Sequence, residues 1–158
     1  MDEQFFTDQV LRCEQRLYRV AHAMLGNDAD AGDAMQEAIL KAWTKRGSLR
    51  DEAKFDAWLM RILVHCCRDI QRGRMNAPLP LDAVAEPQDA PPPDLALRDA
   101  LDRIPEKYRI PLLLHYLEGF PTARVASILR IPHGTARWRL HEGRRLLAQQ
   151  LNDEVQYA

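Results

Sequence analysis

Apolar residues recur at helical steps through the first part of the chain. Val10, Leu17, Val20, Ala21 and Met24 fall along one face of a segment that stops at Gly26. Ala31, Ala34, Met35, Ala38, Ile39 and Ala42 repeat the pattern, and Phe55, Trp58, Leu59, Ile62, Leu63 and Cys66 repeat it again. Each stripe is one-sided, so the spacing predicts three amphipathic helices that must cover one another in a small bundle. Asn27 or Asp28 offers a side-chain oxygen to cap the second helix, and the polar run from Gly47 to Ala53 reads as an exposed connection. Nothing along the chain alternates with the period of two that a half-buried strand needs, so the expected class is all-α.

A second periodic region runs from Phe120 to Leu151. Val125, Ile128 and Leu129 make a short stripe; Ala136, Leu140, Gly143 and Leu147 make another at steps of four, three and four. Between them Arg130-Ile131-Pro132-His133-Gly134 breaks the helix, because a proline disfavours helical backbone at the residue before it, and Thr135 is placed to cap the second helix. Two short helices about a tight turn form a helix-turn-helix. With the apolar stripe inward, Arg137, His141 and Arg144 fall outward at steps of four and three, flanked by Arg139 and Arg145. That face suits phosphates and guanine edges in a DNA major groove.

Between these regions the pattern disappears. Pro78, Pro80, Pro87, Pro91, Pro92 and Pro93 accompany scattered acidic residues, without helical or strand periodicity. The expected organisation is a helical bundle over residues 1–72, a flexible proline-rich linker over 73–93 and a helix-turn-helix domain over 94–158.

Charge changes the picture of DNA binding. The chain has 22 basic and 23 acidic residues. Only the last block, residues 95–158, is basic, with 10 against 7. The whole molecule therefore lacks the positive field that drives free association with DNA, so specific binding is expected to be local or assisted. No apolar run is long enough to cross a membrane, and Met1-Asp2-Glu3-Gln4 lacks the basic start and apolar core of an export signal; a cytoplasmic protein with no membrane insertion is expected. Cys13, Cys66 and Cys67 match no disulfide or zinc spacing, and adjacent residues on a helix diverge too far to share an ion. No metal, cofactor or catalytic constellation is expected, the histidines at 22, 65, 115, 133 and 141 being scattered.

Longer strings carry a family resemblance. Asp33-Ala34-Met35-Gln36-Glu37, then Lys41-Ala42-Trp43, then Phe55-Asp56-Ala57-Trp58-Leu59-Met60-Arg61-Ile62 resemble region 2 of bacterial sigma factors. Leu101 to Arg109, Tyr116-Leu117-Glu118-Gly119 and Ile131-Pro132-His133-Gly134-Thr135 resemble region 4 of the extracytoplasmic-function (ECF) group. The likeness covers nearly the whole chain apart from the linker, in order.

The resemblance implies a promoter-specificity subunit of RNA polymerase. Asp33, Gln36 and Glu37 would bind a coiled coil of core RNA polymerase. The loop from Ser48 to Lys54 would help open the minus-ten promoter element, with Lys54, Arg61, His65, Arg68 and Arg72 along the melted strand. Trp58 stays a core residue by its place on the stripe. Thr135, Arg137, Arg139 and Arg144 would contact the minus-thirty-five duplex, with Arg145 and His133 on its backbone. The sequence departs from the family at His65, Pro121, Arg130, Trp138 and Glu142, where relatives tend to have asparagine, serine, glycine, a small residue and a basic one. A left-handed backbone at Arg130 would cost about 1–2 kcal/mol. An anti-sigma factor is an expected partner. Two other readings of the residues are a helix-turn-helix regulator that binds operators by itself and a sigma mimic that sequesters an anti-sigma factor; an enzyme is the third and least supported.

Overall fold

A computed structural model describes residues 1–76 and 95–157, which fall into two units. The expected linker lies almost wholly outside the described residues.

The first unit holds three helices. α1 spans Glu3–Leu25; Asp2 caps it by accepting from the Phe5 amide at 2.7 Å, and Gly26, at φ 82°, ends it by donating to the His22 carbonyl. α2 spans Asp28–Thr44, and Asn27 rather than Asp28 makes the cap, accepting from the Asp30 amide at 2.8 Å. α3 spans Phe55–Asn76. It therefore runs through Gly73, so the first four residues of the stretch expected to be irregular are its last turn. Gln71 and Arg74 near that end donate to the Met24 and Leu25 carbonyls at the end of α1, satisfying acceptors that a helix terminus leaves open.

Each of these helices packs on the other two. α2 turns a seam of Ala31, Ala34, Ala38 and Ala42 inward, all fully buried, while Met35 and Ile39 stay half-buried beside it. Leu17, Val20 and Ala21 of α1 and Leu59, Leu63 and Cys66 of α3 are buried as their stripes require. Phe6, Met60, Val64 and Cys67 are buried as well, outside the expected stripes. Trp58 is not a core residue: it is half-buried, its ring 5.6 Å from that of Phe55. The connection between α2 and α3 contains two 3₁₀ turns, Arg46–Ser48 and Glu52–Lys54, the second capped by Asp51.

In the second unit, α4 (Leu95–Asp102) and α5 (Glu106–Leu112) pack on α7 (His133–Tyr157). Ile104, Leu112 and Leu140 form the core, with Leu101, Tyr108, Leu146 and Leu147 packed against it. Gly143 lies where α7 comes close to α5: a Cβ there would lie 3.0 Å from the Leu112 side chain and 3.2 Å from the Tyr108 carbonyl oxygen. Gly143→Val is therefore expected to destabilise this unit by about 1–3 kcal/mol through overpacking, outweighing the better helix propensity of the new residue. Hydrogen exchange of the α5 and α7 amides, which should accelerate together, checks this.

Pro111 lies inside α5 and cannot donate a backbone hydrogen bond. A wider π turn follows over Leu113–Leu117, closed by the Glu118 amide on the Leu113 carbonyl at 3.0 Å, and Gly119 at φ 76° reverses the chain. The helix-turn-helix comes next. Val125, Ile128 and Leu129 of α6 (Thr122–Leu129) are all buried. Arg130 takes the left-handed conformation at φ 55°, and the Ile131 amide bonds back to the Ala126 carbonyl at 3.0 Å. This is a Schellman ending with arginine at the glycine position. α7 then begins at His133, because the Pro132 carbonyl accepts from the Ala136 amide at 3.0 Å. The expectation that Thr135 caps this helix is thus corrected. A proline tolerates the edge of a helix, where its missing amide leaves no bond unmade, and Thr135 is already inside the first turn.

Candidate functional site

Three surfaces carry the candidate residues, the first on α2. Asp33, Gln36 and Glu37 are all exposed and, at steps of three and four, share the face opposite the alanine seam. Glu37 pairs with Lys41 at 3.0 Å within the helix. Leu40, three residues beyond Glu37, extends the same face and is 64% exposed, a residue that no stripe singles out. The surface thus combines acidic and amide acceptors with one apolar side chain, a composition suited to a basic, amphipathic partner helix.

The second surface is on α3. Arg61, His65, Arg68 and Arg72 follow at steps of four, three and four and are half-buried except for the exposed Arg72. Arg72 is ion-paired to Asp69. Lys54 is exposed in the 3₁₀ turn immediately before this helix. The expected strand-binding residues therefore form one line along the helix with Lys54 at its N-terminal end. Anchoring comes from Phe55, 1% exposed, whose ring meets Phe5, Phe6 and Trp58 with centroids 6.3, 5.7 and 5.6 Å away.

The third surface is the outer side of α7. His133, Arg137, His141, Arg144 and Arg145 are exposed, and Thr135 and Arg139 half-buried. Arg137, His141 and Arg144 line a shallow concavity with His115, Thr122, Gly134 and Trp138. Arg145 is held by Glu142, its Nε 3.1 Å from the carboxylate, and the guanidinium keeps the Glu142 carboxyl below its ordinary range. Arg144 donates from Nη1 to the Tyr116 hydroxyl at 2.6 Å. Periodicity does not signal that pairing, because Tyr116 reaches Arg144 from the π turn, 28 residues away.

The Tyr116 hydroxyl fixes one orientation of a guanidinium expected to meet duplex DNA. Tyr116→Phe is expected to weaken binding of an upstream duplex roughly two- to fivefold, the size of one exposed hydrogen bond of about 0.5–1 kcal/mol. In an Arg144→Ala background the same change should have no further effect. Additive losses in that double-mutant cycle would deny the pairing any role in binding.

The cysteines take no part in these surfaces. All three are buried, and burial pushes the Cys13 and Cys66 thiols up, so both stay protonated at neutral pH. Among the described residues no group of three or more His, Cys, Asp or Glu side chains is placed to hold a metal ion, and no helix is long and apolar enough to cross a membrane.

Comparison with known proteins agrees with this layout. Residues 10–76 match the sigma-70 region 2 family and residues 94–147 match the family described as sigma-70, region 4. The chain is 30% identical to the ECF RNA polymerase sigma factor SigW of Bacillus subtilis, over 96% of this chain and 91% of that protein. It is 31% identical to the ECF RNA polymerase sigma factor SigM of Mycobacterium tuberculosis, over 94% and 79%. Among solved structures, the sigma factor RpoE of Bartonella quintana, in complex with the anti-sigma factor NepR, shares the fold with a TM-score of 0.76 at 23% identity, covering 93% of this chain and 96% of that one. CnrH, in complex with the cytosolic domain of CnrY, does so with a TM-score of 0.73 at 21% identity, covering 96% and 90%.

Proposed function

We propose, from the premise that this chain belongs to the ECF sigma factors of the sigma-70 family, that its two units divide the work of starting transcription. The protein directs core RNA polymerase to specific promoters. In the proposed division, Asp33, Gln36 and Glu37 on α2 dock on core polymerase. Lys54 and the α3 line of Arg61, His65, Arg68 and Arg72 hold the melted minus-ten strand, the lysine and the three arginines through charge along its backbone. Thr135, Arg137, Arg139 and Arg144 of α7 read the minus-thirty-five duplex, with His133 and Arg145 on its phosphates.

The observation that carries this reading is the order of the two matches along one chain, a region 2 unit followed by a region 4 unit. Near-neutral net charge supports docking before DNA selection, since 22 basic residues stand against 23 acidic ones. An operator-binding regulator would have no use for a polymerase-docking face, and a sigma mimic would have none for DNA selection. The solved complex of the sigma factor RpoE with the anti-sigma factor NepR supports control of this protein by a separate anti-sigma partner, in the cytoplasm where core polymerase works.

Run-off transcription with purified core polymerase over a promoter library tests the reading. Added protein should produce initiation at a defined subset of templates that core polymerase alone ignores. No new start sites, or tight and specific promoter binding by the isolated chain at physiological salt, would overturn it.

A further inference from the structure

The outer face of α7 carries one large apolar side chain among its cations. Trp138 is 58% exposed and shares its concavity with Gly134, Arg137, His141 and Arg144. Its ring lies 5.9 Å from that of His141, tilted by 34°, so the indole has an aromatic neighbour that leaves it largely uncovered. Gly134, one turn earlier on the same side, leaves open space: a Cβ built there would meet nothing within 4 Å. The indole therefore faces an unobstructed approach at the first turns of the helix, with guanidinium groups beside it.

This pairing of an apolar plate with cations narrows the ligand. A chain with a net charge of −1 that gathers arginines about an exposed indole is arranged for a polyanion that also offers apolar groups. At the edges of the bases in a major groove, the apolar group is the 5-methyl of thymine, set among hydrogen-bonding atoms that arginine reads. We propose that Trp138 is a specificity-determining residue, selecting a thymine in the upstream duplex element by contact of its indole with the 5-methyl group. The proposal rests on the promoter-directing function above and adds to it one base preference and the residue that sets it.

The experiment uses holoenzyme, core polymerase with the full chain, on a duplex library randomised across the upstream element, followed by sequencing of the retained duplexes. Wild-type holoenzyme is expected to enrich thymine at one position or more, and Trp138→Ala to lose that enrichment at one position while keeping the preferences elsewhere. Replacing that thymine by uracil in a selected duplex should weaken wild-type binding about fourfold, the effect of one buried methyl group, and leave Trp138→Ala unchanged. Identical preferences at every position in wild type and Trp138→Ala, or a neutral uracil substitution, would overturn the proposal. A wild-type holoenzyme that enriches nothing would instead refute the promoter-directing reading, and this one with it. The side chain is largely exposed, so a circular dichroism spectrum matching wild type verifies that Trp138→Ala keeps its helices.

Discussion

Replacing Asp33, Gln36 and Glu37 together by alanine is expected to reduce run-off transcription with limiting core polymerase by roughly 30-fold or more, the consequence of removing an interface hot spot of at least about 2 kcal/mol. All three side chains are exposed on α2, so the change removes no core contact. Alanine is the best helix former, which keeps the helix intact. The Glu37 to Lys41 ion pair is lost, but both partners are close to half exposed and such pairs contribute little to stability. Leu40→Ala gives an independent reading of the same face: truncating a largely exposed side chain should leave the free protein folded and still weaken association with polymerase. Wild-type initiation by the triple variant at limiting polymerase would remove α2 as the docking surface.

The second large effect is on folding. Phe55→Ala is expected to destabilise the first unit by about 3–5 kcal/mol, since it empties the site of a 1% exposed ring in contact with three other aromatic rings. A small helical unit lies near the low end of the roughly 5–15 kcal/mol typical of domains, so this loss consumes most of its stability. Thermal unfolding followed by hydrogen exchange should show α1 to α3 opening at much lower temperature while α5 and α7 keep their protection. Phe55→Leu, which keeps most of the volume, should cost well under half as much. Equal losses for the two substitutions would mean that ring packing is not what holds the start of α3.

These effects concern residues that the sequence makes visible to different degrees. Phe55 and the alanines of α2 stand on stripes of helical period, so their burial follows from spacing. Met60, Val64 and Cys67 lie outside the expected stripe because α3 packs on both α1 and α2, which widens its buried face beyond what periodicity counts. Trp58 departs in the other direction: it lies on the stripe yet remains half-buried at the edge of the aromatic cluster. At the helix-turn-helix, a proline that signals a stop also starts the next helix, so the cap sits at Pro132 and not at Thr135. Arg130 is legible as a strained position because the left-handed ending of a helix favours glycine, and its φ of 55° realises that strain.

The candidate surfaces divide in the same way. Spacing places Arg137, His141 and Arg144 on one outer face, and Arg61, His65, Arg68 and Arg72 on another. It gives no access to Tyr116 beside Arg144, because a π turn after Pro111 sets where that tyrosine points. Nor does it expose the contact between Gly143 and α5, since a glycine on an apolar stripe looks the same whether its neighbour is a side chain or, as here, a backbone carbonyl as well.

The alanine seam of α2 has a consequence for how such a surface evolves. With Ala31, Ala34, Ala38 and Ala42 fully buried, the inner seam of the helix is made of side chains that have no rotamers to rearrange. Its outer residues are carried on a rod whose position does not depend on their identity. If that outer side docks on polymerase as proposed, substitutions there are expected to retune its grip without refolding the bundle, whereas a larger side chain on the inner side is expected to overpack the seam.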